Sequence, residues 1–211
     1  MNATIFMNPD NRTTTTVRQR PTVAQVAEVL PQLQCRKCGY VDCVAYARAL
    51  VEDTALPNRC TPGGEWTIME LVRLLNHPWQ ALDPSCTEHR PGRVVIAEAD
   101  CIGCARCLPA CPVQAIVGMA RQLHVVLAED CTGCELCISI CPVDCISWLP
   151  SSDATAQPWP GWDRQRADRA AERYAKRTQR QSARYAETGR AQRRREIREA
   201  VERVRRRRTD P

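Results

Sequence analysis

The 211-residue chain holds a single phenylalanine (Phe6), three histidines (His77, His89, His124), and no cysteine before position 35 or after 145. So little histidine argues against His-dominated metal sites and most triad hydrolases. No run of 18 or more apolar residues exists, which excludes a membrane-spanning helix. Residues 1–20 are polar, with threonines at 13–16, and lack the apolar segment of a secretory signal. A disulfide framework therefore has no visible export route, and the expected protein is soluble and intracellular. There is no Gly-rich phosphate loop, nucleophile elbow or dinucleotide fingerprint, so no catalytic site of its own is expected.

What is abundant is cysteine, 14 residues all within positions 35–145. Excess cysteine without export points to metal ligation by thiolate. Charge divides the chain as sharply. Residues 1–160 carry 12 Lys and Arg against 16 Asp and Glu, a balance of −4, while residues 161–211 carry 18 against 8, a balance of +10. An acidic, cysteine-rich body is thus followed by a basic, cysteine-free tail.

Residues 1–20 read as disordered. Thr22 and Gln25 make a capping box for a short helix with Val23, Val26, Ala27 and Leu30 on one face, ended by Pro31. A second helix is expected from about Asp42 to Glu52, burying Val44, Ala47 and Leu50. A third is expected from a capping box at Thr67 and Glu70, carrying Ile68, Leu71, Val72 and Leu75 up to Pro78. Residues 21–82 so form a small helical unit whose core is too thin to fold without a metal site. Residues 83–91 read as a linker, 92–150 as a second unit, 151–162 as a Pro-containing linker, and 163–211 as a helical basic tail. The tail is expected to be separable from the metal sites.

Residues 99–116 and 129–146 form an internal repeat of period 30, identical at 9 of 18 positions. The first copy reads Cys101-x2-Cys104-x2-Cys107-x3-Cys111-Pro112 and the second Cys131-x2-Cys134-x2-Cys137-x3-Cys141-Pro142, with short β-rich stretches at 94–96 and 123–127 ahead of them. Three thiolates at two-residue intervals wrap one face of a cubane cluster, with Gly103 and Gly133 supplying the tight turn. The fourth, beside proline, ligates the other cluster. One [4Fe–4S] cluster is therefore assigned Cys101, Cys104, Cys107 and Cys141, and another Cys131, Cys134, Cys137 and Cys111. Zinc sites more commonly use two CxxC pairs. The spacing resembles that of bacterial two-cluster ferredoxins over residues 92–150.

Upstream, Cys35-x2-Cys38-x4-Cys43-x16-Cys60 offers four thiolates that suit either zinc or another [4Fe–4S] cluster on spacing alone. The segments from Leu30 to Cys43 (LPQLQCRKCGYVDC) and from Asn58 to Gly64 (NRCTPGG) are similar to the N-terminal cluster domain of the B-subunit of Rnf/Rsx electron transport complexes. The domain order matches that family, as do Ala115-Ile116-Val117-Gly118 ahead of His124 and Cys145-Ile146-Ser147 after the last ligand. This resemblance covers residues 21–150. It implies that Cys35, Cys38, Cys43 and Cys60 bind a third [4Fe–4S] cluster. It further implies an α+β protein: a small α-helical 4Fe–4S domain, a ferredoxin-like domain with two clusters, and the long basic helical tail. Single electrons would be relayed through three clusters, with redox proteins and other Rnf/Rsx-type subunits as partners within a translocase-type complex. Family members begin with a hydrophobic anchor helix, for which this sequence has no counterpart, and the arginine-rich tail is not part of the family pattern.

Two cysteines remain. Cys145 aligns with Ala115 and reads as a small buried residue; Cys86 reads as a free thiol in the linker. None of the three histidines is assigned a ligand role. The tail, densest at Arg193–Arg195 and 205–208, suits an acidic protein partner or an anionic membrane surface, placing the protein in the cytoplasm and peripheral at the inner face of the membrane. Tyr174 and Tyr185 are its only aromatics, which disfavours nucleic acid. The competing readings are a redox-responsive nucleic-acid-associated protein using that tail, and a ferredoxin with a zinc-binding module at 21–82.

Overall fold

The computed structural model describes residues 20–151 and 157–209, with side chains described as far as 202. The expectations for residues 1–19, and for 152–156 within the second linker, lie outside the described residues. Helices and small sheets are mixed, as the α+β expectation required, and the C-terminal element is one long helix.

Helix α1 (Val23–Glu28) starts at the capping box: the Gln25 N–H donates to Thr22 Oγ1 at 3.3 Å, and the Thr22 N–H to Gln25 Oε1 at 2.8 Å. It stops before Pro31, because the N–H groups of Val29 and Leu30 donate to carbonyls three residues back, tightening the last turn. Helix α2 (Cys43–Val51) is capped by Asp42, whose carboxylate accepts from the Ala45 N–H at 2.6 Å. Tyr46, Ala47 and Leu50 are buried in it; Val44, expected inside, is 39 % exposed. Tyr46 takes that place because its hydroxyl finds partners, donating to the Leu56 carbonyl and accepting from the Arg59 N–H. Helix α3 (Gly64–Leu75) begins a turn earlier than the Thr67 box implied. Thr67 is fully buried, and its hydroxyl serves a tertiary contact described below rather than a cap. Val26, Leu30, Tyr46, Ala47, Leu50, Cys60 and Leu71 make the core of this region.

The repeat builds two antiparallel ladders, β1 (Gly92–Ile96) with β4 (Ile146–Pro150), and β2 (Ile116–Val117) with β3 (Val125–Val126). A 3-10 turn at Glu98–Asp100 and the one-turn helix α4 (Cys107–Ala110) complete it. The two copies are related by a local two-fold with the 30-residue offset. Ile96 pairs with Ile146 and Val126 with Ile116. The Ala97 N–H donates to the Cys145 carbonyl at 2.8 Å, and the Leu127 N–H to the Ala115 carbonyl at 2.7 Å.

Residues 157–163 are not a linker. They form a hairpin, β5 (Pro158–Trp159) and β6 (Trp162–Asp163), that buries both tryptophans. Trp159 Nε1–H donates to Thr67 Oγ1 at 2.8 Å and its ring meets Trp66 edge-on; Trp162 Nε1–H donates to the Pro31 carbonyl at 2.8 Å. Each indole thus buries its area with its one polar atom satisfied. Helix α5 (Arg164–Thr209) follows, with Ala167 and Ala170 buried. Arg173 ties it to the repeat through the carbonyls of Val113 and Gln114, both at 2.7 Å, and Tyr174 ties it to α2 through Asp42, at 2.7 Å. The start of the tail is therefore packed onto the body.

Candidate metal centres

The three CxxC segments need a backbone that turns back on itself. In the repeat the left-handed positions recur at matching offsets, Gly103 and Ala105 in one copy, Gly133 and Glu135 in the other. At the two glycines space as well as φ forbids a side chain. A Cβ on Gly103 would lie 2.8 Å from the backbone of Arg121 and Gln122, and one on Gly133 would lie 2.3 Å from the Gly92 carbonyl oxygen. Ala105 and Glu135 hold a conformation costly for side-chain residues, so the loop is fixed by what surrounds it. In the N-terminal region Arg36 and Gly39 play the same part.

These turns gather the thiols into three sets. Cys101, Cys104, Cys107 and Cys141 line one cavity together with Ile96, His124, Cys145 and Ile146. Cys111 is close enough to Cys131, Cys134 and Cys137 for their charges to interact, so the last cysteine of each copy lies with the other copy's triplet. Cys43 and Cys60 interact in the same way with Cys35 and Cys38. Cys60, Cys107, Cys111, Cys131 and Cys137 are buried and Cys104 is exposed.

Burial, and then the neighbouring thiols, push most of these groups up. Cys134 and Cys137 rise to about 12, and burial pushes Cys43 and Cys60 up as well. Four crowded, buried thiols do not ionise unaided; the positive charge of bound iron is what makes them thiolates. Amide donors are already aimed at sulfur, as at Cys111 Sγ, which accepts from the Ala115 N–H at 3.1 Å. No three Cys, His, Asp or Glu side chains among the described residues converge closely enough for a single ion. Thiol-only donor sets, wrapped loops and N–H groups facing sulfur fit a [4Fe–4S] cubane.

Two contacts were missed by the reading of the sequence. Cys145 is buried as expected, yet its Sγ lies 3.4 Å from Cys141 Sγ. His124 is 2 % exposed, with Nδ1 3.6 Å from Cys101 Sγ. Extending the repeat alignment back to 92–97 against 122–127 would have singled out His124, which takes the place of Val94. Cys86 is half-buried, held by a turn at Asp83, and close enough to Cys38 for their charges to interact.

The N-terminal region and the repeat meet directly. Thr132 Oγ1 donates to the Leu33 carbonyl at 3.0 Å, and Lys37 Nζ binds the Glu135 carboxylate at 2.9 Å and the Glu88 carbonyl at 2.8 Å. Cys35 packs against the core that contains Cys107, Cys111, Cys131, Cys137 and Cys145. No helix among the described residues is long and apolar enough to cross a membrane.

Comparison with known proteins agrees with this chemistry. The family model of a 4Fe-4S dicluster domain matches residues 94–148, and that of a putative Fe-S cluster matches residues 30–62. The B-subunit of the ion-translocating oxidoreductase complex of Shigella dysenteriae serotype 1 is 48 % identical over 149 residues, 70 % of this chain and 77 % of that protein. Its namesakes from Escherichia coli K12 / DH10B and O157:H7 match to the same extent. The cofactors of this chain are [4Fe–4S] clusters, and it belongs to the B-subunit family of the Rnf/Rsx ion-translocating oxidoreductase complexes.

Proposed function

We propose that the protein is a relay of three [4Fe–4S] clusters that passes single electrons within an Rnf/Rsx-type complex. The observation that carries this is the sorting of twelve of the fourteen cysteines into three sets of four. On this reading Cys35, Cys38, Cys43 and Cys60 hold the first cluster. Cys101, Cys104, Cys107 and Cys141 hold the second, and Cys131, Cys134, Cys137 and Cys111 the third. Each cluster, when bound, takes up and gives back one electron at a time.

The order in space differs from the order in sequence. The Leu33–Thr132 hydrogen bond and the Lys37–Glu135 ion pair join the Cys35 loop to the loop that carries Cys131 and Cys134. This supports the Cys131 set as the middle station, with the Cys35 and Cys101 sets at the ends. Cys104, the exposed thiol, then marks an end where a partner approaches. A helical cluster domain at 21–82 and a ferredoxin-like domain at 92–150 remain the natural division. The two-fold pairing of the ladders supports the ferredoxin-like assignment. Other members of the complex are the redox partners. The exposed arginines of α5 beyond residue 180 suit contact with an anionic membrane face or an acidic protein of the complex, with the chain peripheral at the cytoplasmic side.

Anaerobically purified protein should contain about 12 iron and 12 acid-labile sulfide per chain. About 8 iron with one tightly held zinc would replace the first cluster by a zinc module. Cys111→Ser should make labile the cluster of the Cys131 set and spare that of the Cys101 set; the reverse result would overturn the exchange of ligands between the copies.

A further inference from the structure

The two clusters of the repeat have unequal surroundings. The local two-fold makes position 94 the counterpart of 124 and position 115 the counterpart of 145. Beside the Cys131 set these positions are Val94 and Ala115, both buried and without polar side-chain atoms. Beside the Cys101 set they are His124 and Cys145, whose polar atoms lie on ligand sulfurs, His124 Nδ1 at 3.6 Å from Cys101 Sγ and Cys145 Sγ at 3.4 Å from Cys141 Sγ.

The proton positions follow from burial. His124 Nε2 is buried and has no partner. With the ring proton on Nε2, a buried N–H would be orphaned and the Nδ1 lone pair would face a thiolate. With the proton on Nδ1, the ring donates to Cys101 Sγ and leaves only an unpaired acceptor, the less costly arrangement. Once Cys141 ligates iron it carries no proton, so Cys145 is the donor of the second contact. Beside the other set the Thr132 hydroxyl is shared between the Leu33 carbonyl and the Cys134 sulfur, one divided donor against two.

We propose that His124 and Cys145 are positioning residues that donate hydrogen bonds to the cluster ligands Cys101 and Cys141 and thereby hold the cluster of the Cys101 set at a higher reduction potential than its sister. A reduced cluster carries one more negative charge, and each donor to a ligand sulfur stabilises that charge more than the oxidised state. The exposure of Cys104 acts in the same direction, since water also favours the more charged state. An electron entering the repeat therefore comes to rest at the Cys101 end, away from the N-terminal cluster.

The inference rests on the cluster assignment above and is tested by redox titration of the full chain followed by electron paramagnetic resonance. Cys104→Ser marks the midpoint that belongs to the Cys101 set, and Cys134→Ser marks that of its sister. His124→Val and Cys145→Ala, each installing the residue of the sister site, should lower the first midpoint and leave the second in place. The double substitution should narrow the gap further, and His124→Gln, which keeps an N–H, should fall between parent and His124→Val. Equal midpoints in the parent chain would overturn the proposal, as would variants that leave the marked midpoint unmoved. Loss of one cluster's iron from Cys145→Ala would make Cys145 a ligand, which overturns both its donor role and the assignment. Unchanged iron with unchanged midpoints overturns the donor role alone.

Discussion

Residues 164–180 and 181–202 of α5 are made of much the same material, arginine, alanine, glutamine and glutamate with few apolar side chains. The first stretch is built into the protein and the second stands clear of it. Ala167 and Ala170 are nearly inaccessible, whereas every side chain from 181 to 199 is exposed. Composition does not separate the two; partners do. In the first stretch small alanines let the helix approach the hairpin and the repeat. Its arginines reach backbone carbonyls left free by loops: Arg164 that of Glu28, Arg173 those of Val113 and Gln114, and Arg177 that of Pro109. Arg173 also pairs with Asp130, which is 15 % exposed. The second stretch makes intrahelical pairs such as Arg195 with Glu199, and exposed pairs of that kind contribute about 0.3–0.5 kcal/mol each.

The comparison is broken most severely by truncation. Removing residues 157–211 takes away both buried tryptophans and the bridge between α2 and the repeat. The melting temperature should fall by well over ten degrees, and iron should be lost at the junction of the two regions. Removing 181–211 should leave melting temperature and iron content unchanged. Equal damage from both truncations would show the distal half to be structural as well, and calorimetry with iron analysis on the two proteins decides it.

Trp159→Ala comes next. The ring is 1 % exposed, packs against Trp66, and holds Thr67 by a hydrogen bond. Loss of a fully buried tryptophan should cost about 3–5 kcal/mol. Denaturant unfolding showing less than about 1 kcal/mol would mean that the hairpin is an ornament on the body.

Arg173→Met keeps most of the stem and removes the charged head. It strands the Val113 and Gln114 carbonyls and the partly buried Asp130, so a loss of about 2–3 kcal/mol is expected. Arg194→Met, in the distal half, should change stability by less than about 0.5 kcal/mol.

How much of this was legible in the sequence follows the range of each interaction. The grouping of the cysteines was legible because spacing within each group is local, and the nearness of Cys111 to the Cys131 triplet and of Cys141 to the Cys101 triplet is what the spacing of the fourth cysteine led one to expect. The cap at Thr22 and the helix start near Asp42 are local too. Thr67 misled because a side chain that could cap a helix was instead recruited by Trp159, 92 residues away. Pro158, Pro160 and Gly161 read as a linker because turn residues look alike in a loop and in a tight hairpin. Only the two tryptophans hinted that this segment is buried. The docking of α5 had no periodic apolar stripe to announce it, since the contact is made by alanines and by arginine to carbonyl. His124 and Cys145 were overlooked because a histidine or cysteine outside a ligand motif carries no signal until it is set against its counterpart in the repeat.

The finest test separates the two halves at one hydroxyl. Tyr174 in the proximal half donates to Asp42 Oδ2 at 2.7 Å, and the other oxygen of that carboxylate caps α2. Tyr185 in the distal half is 79 % exposed. Burial and the adjacent Asp42 carboxylate push the Tyr174 phenol above its ordinary value, because ionising it would place an anion against an anion. A phenol whose folded pKa is raised binds its proton more tightly folded than unfolded. Its contribution is therefore complete below the ordinary tyrosine value of about 10 and is lost as pH rises through the folded value. Tyr174→Phe should cost about 1.5–3 kcal/mol at neutral pH, the usual worth of a hydrogen bond to a charged group. It should also flatten the decline in stability above about pH 10. Tyr185→Phe should do neither. Stability curves from pH 7 to 11 for the three proteins provide the check. If Tyr174→Phe keeps the parent's alkaline slope, that slope arises elsewhere, and the link between α5 and the α2 cap does not bear on it.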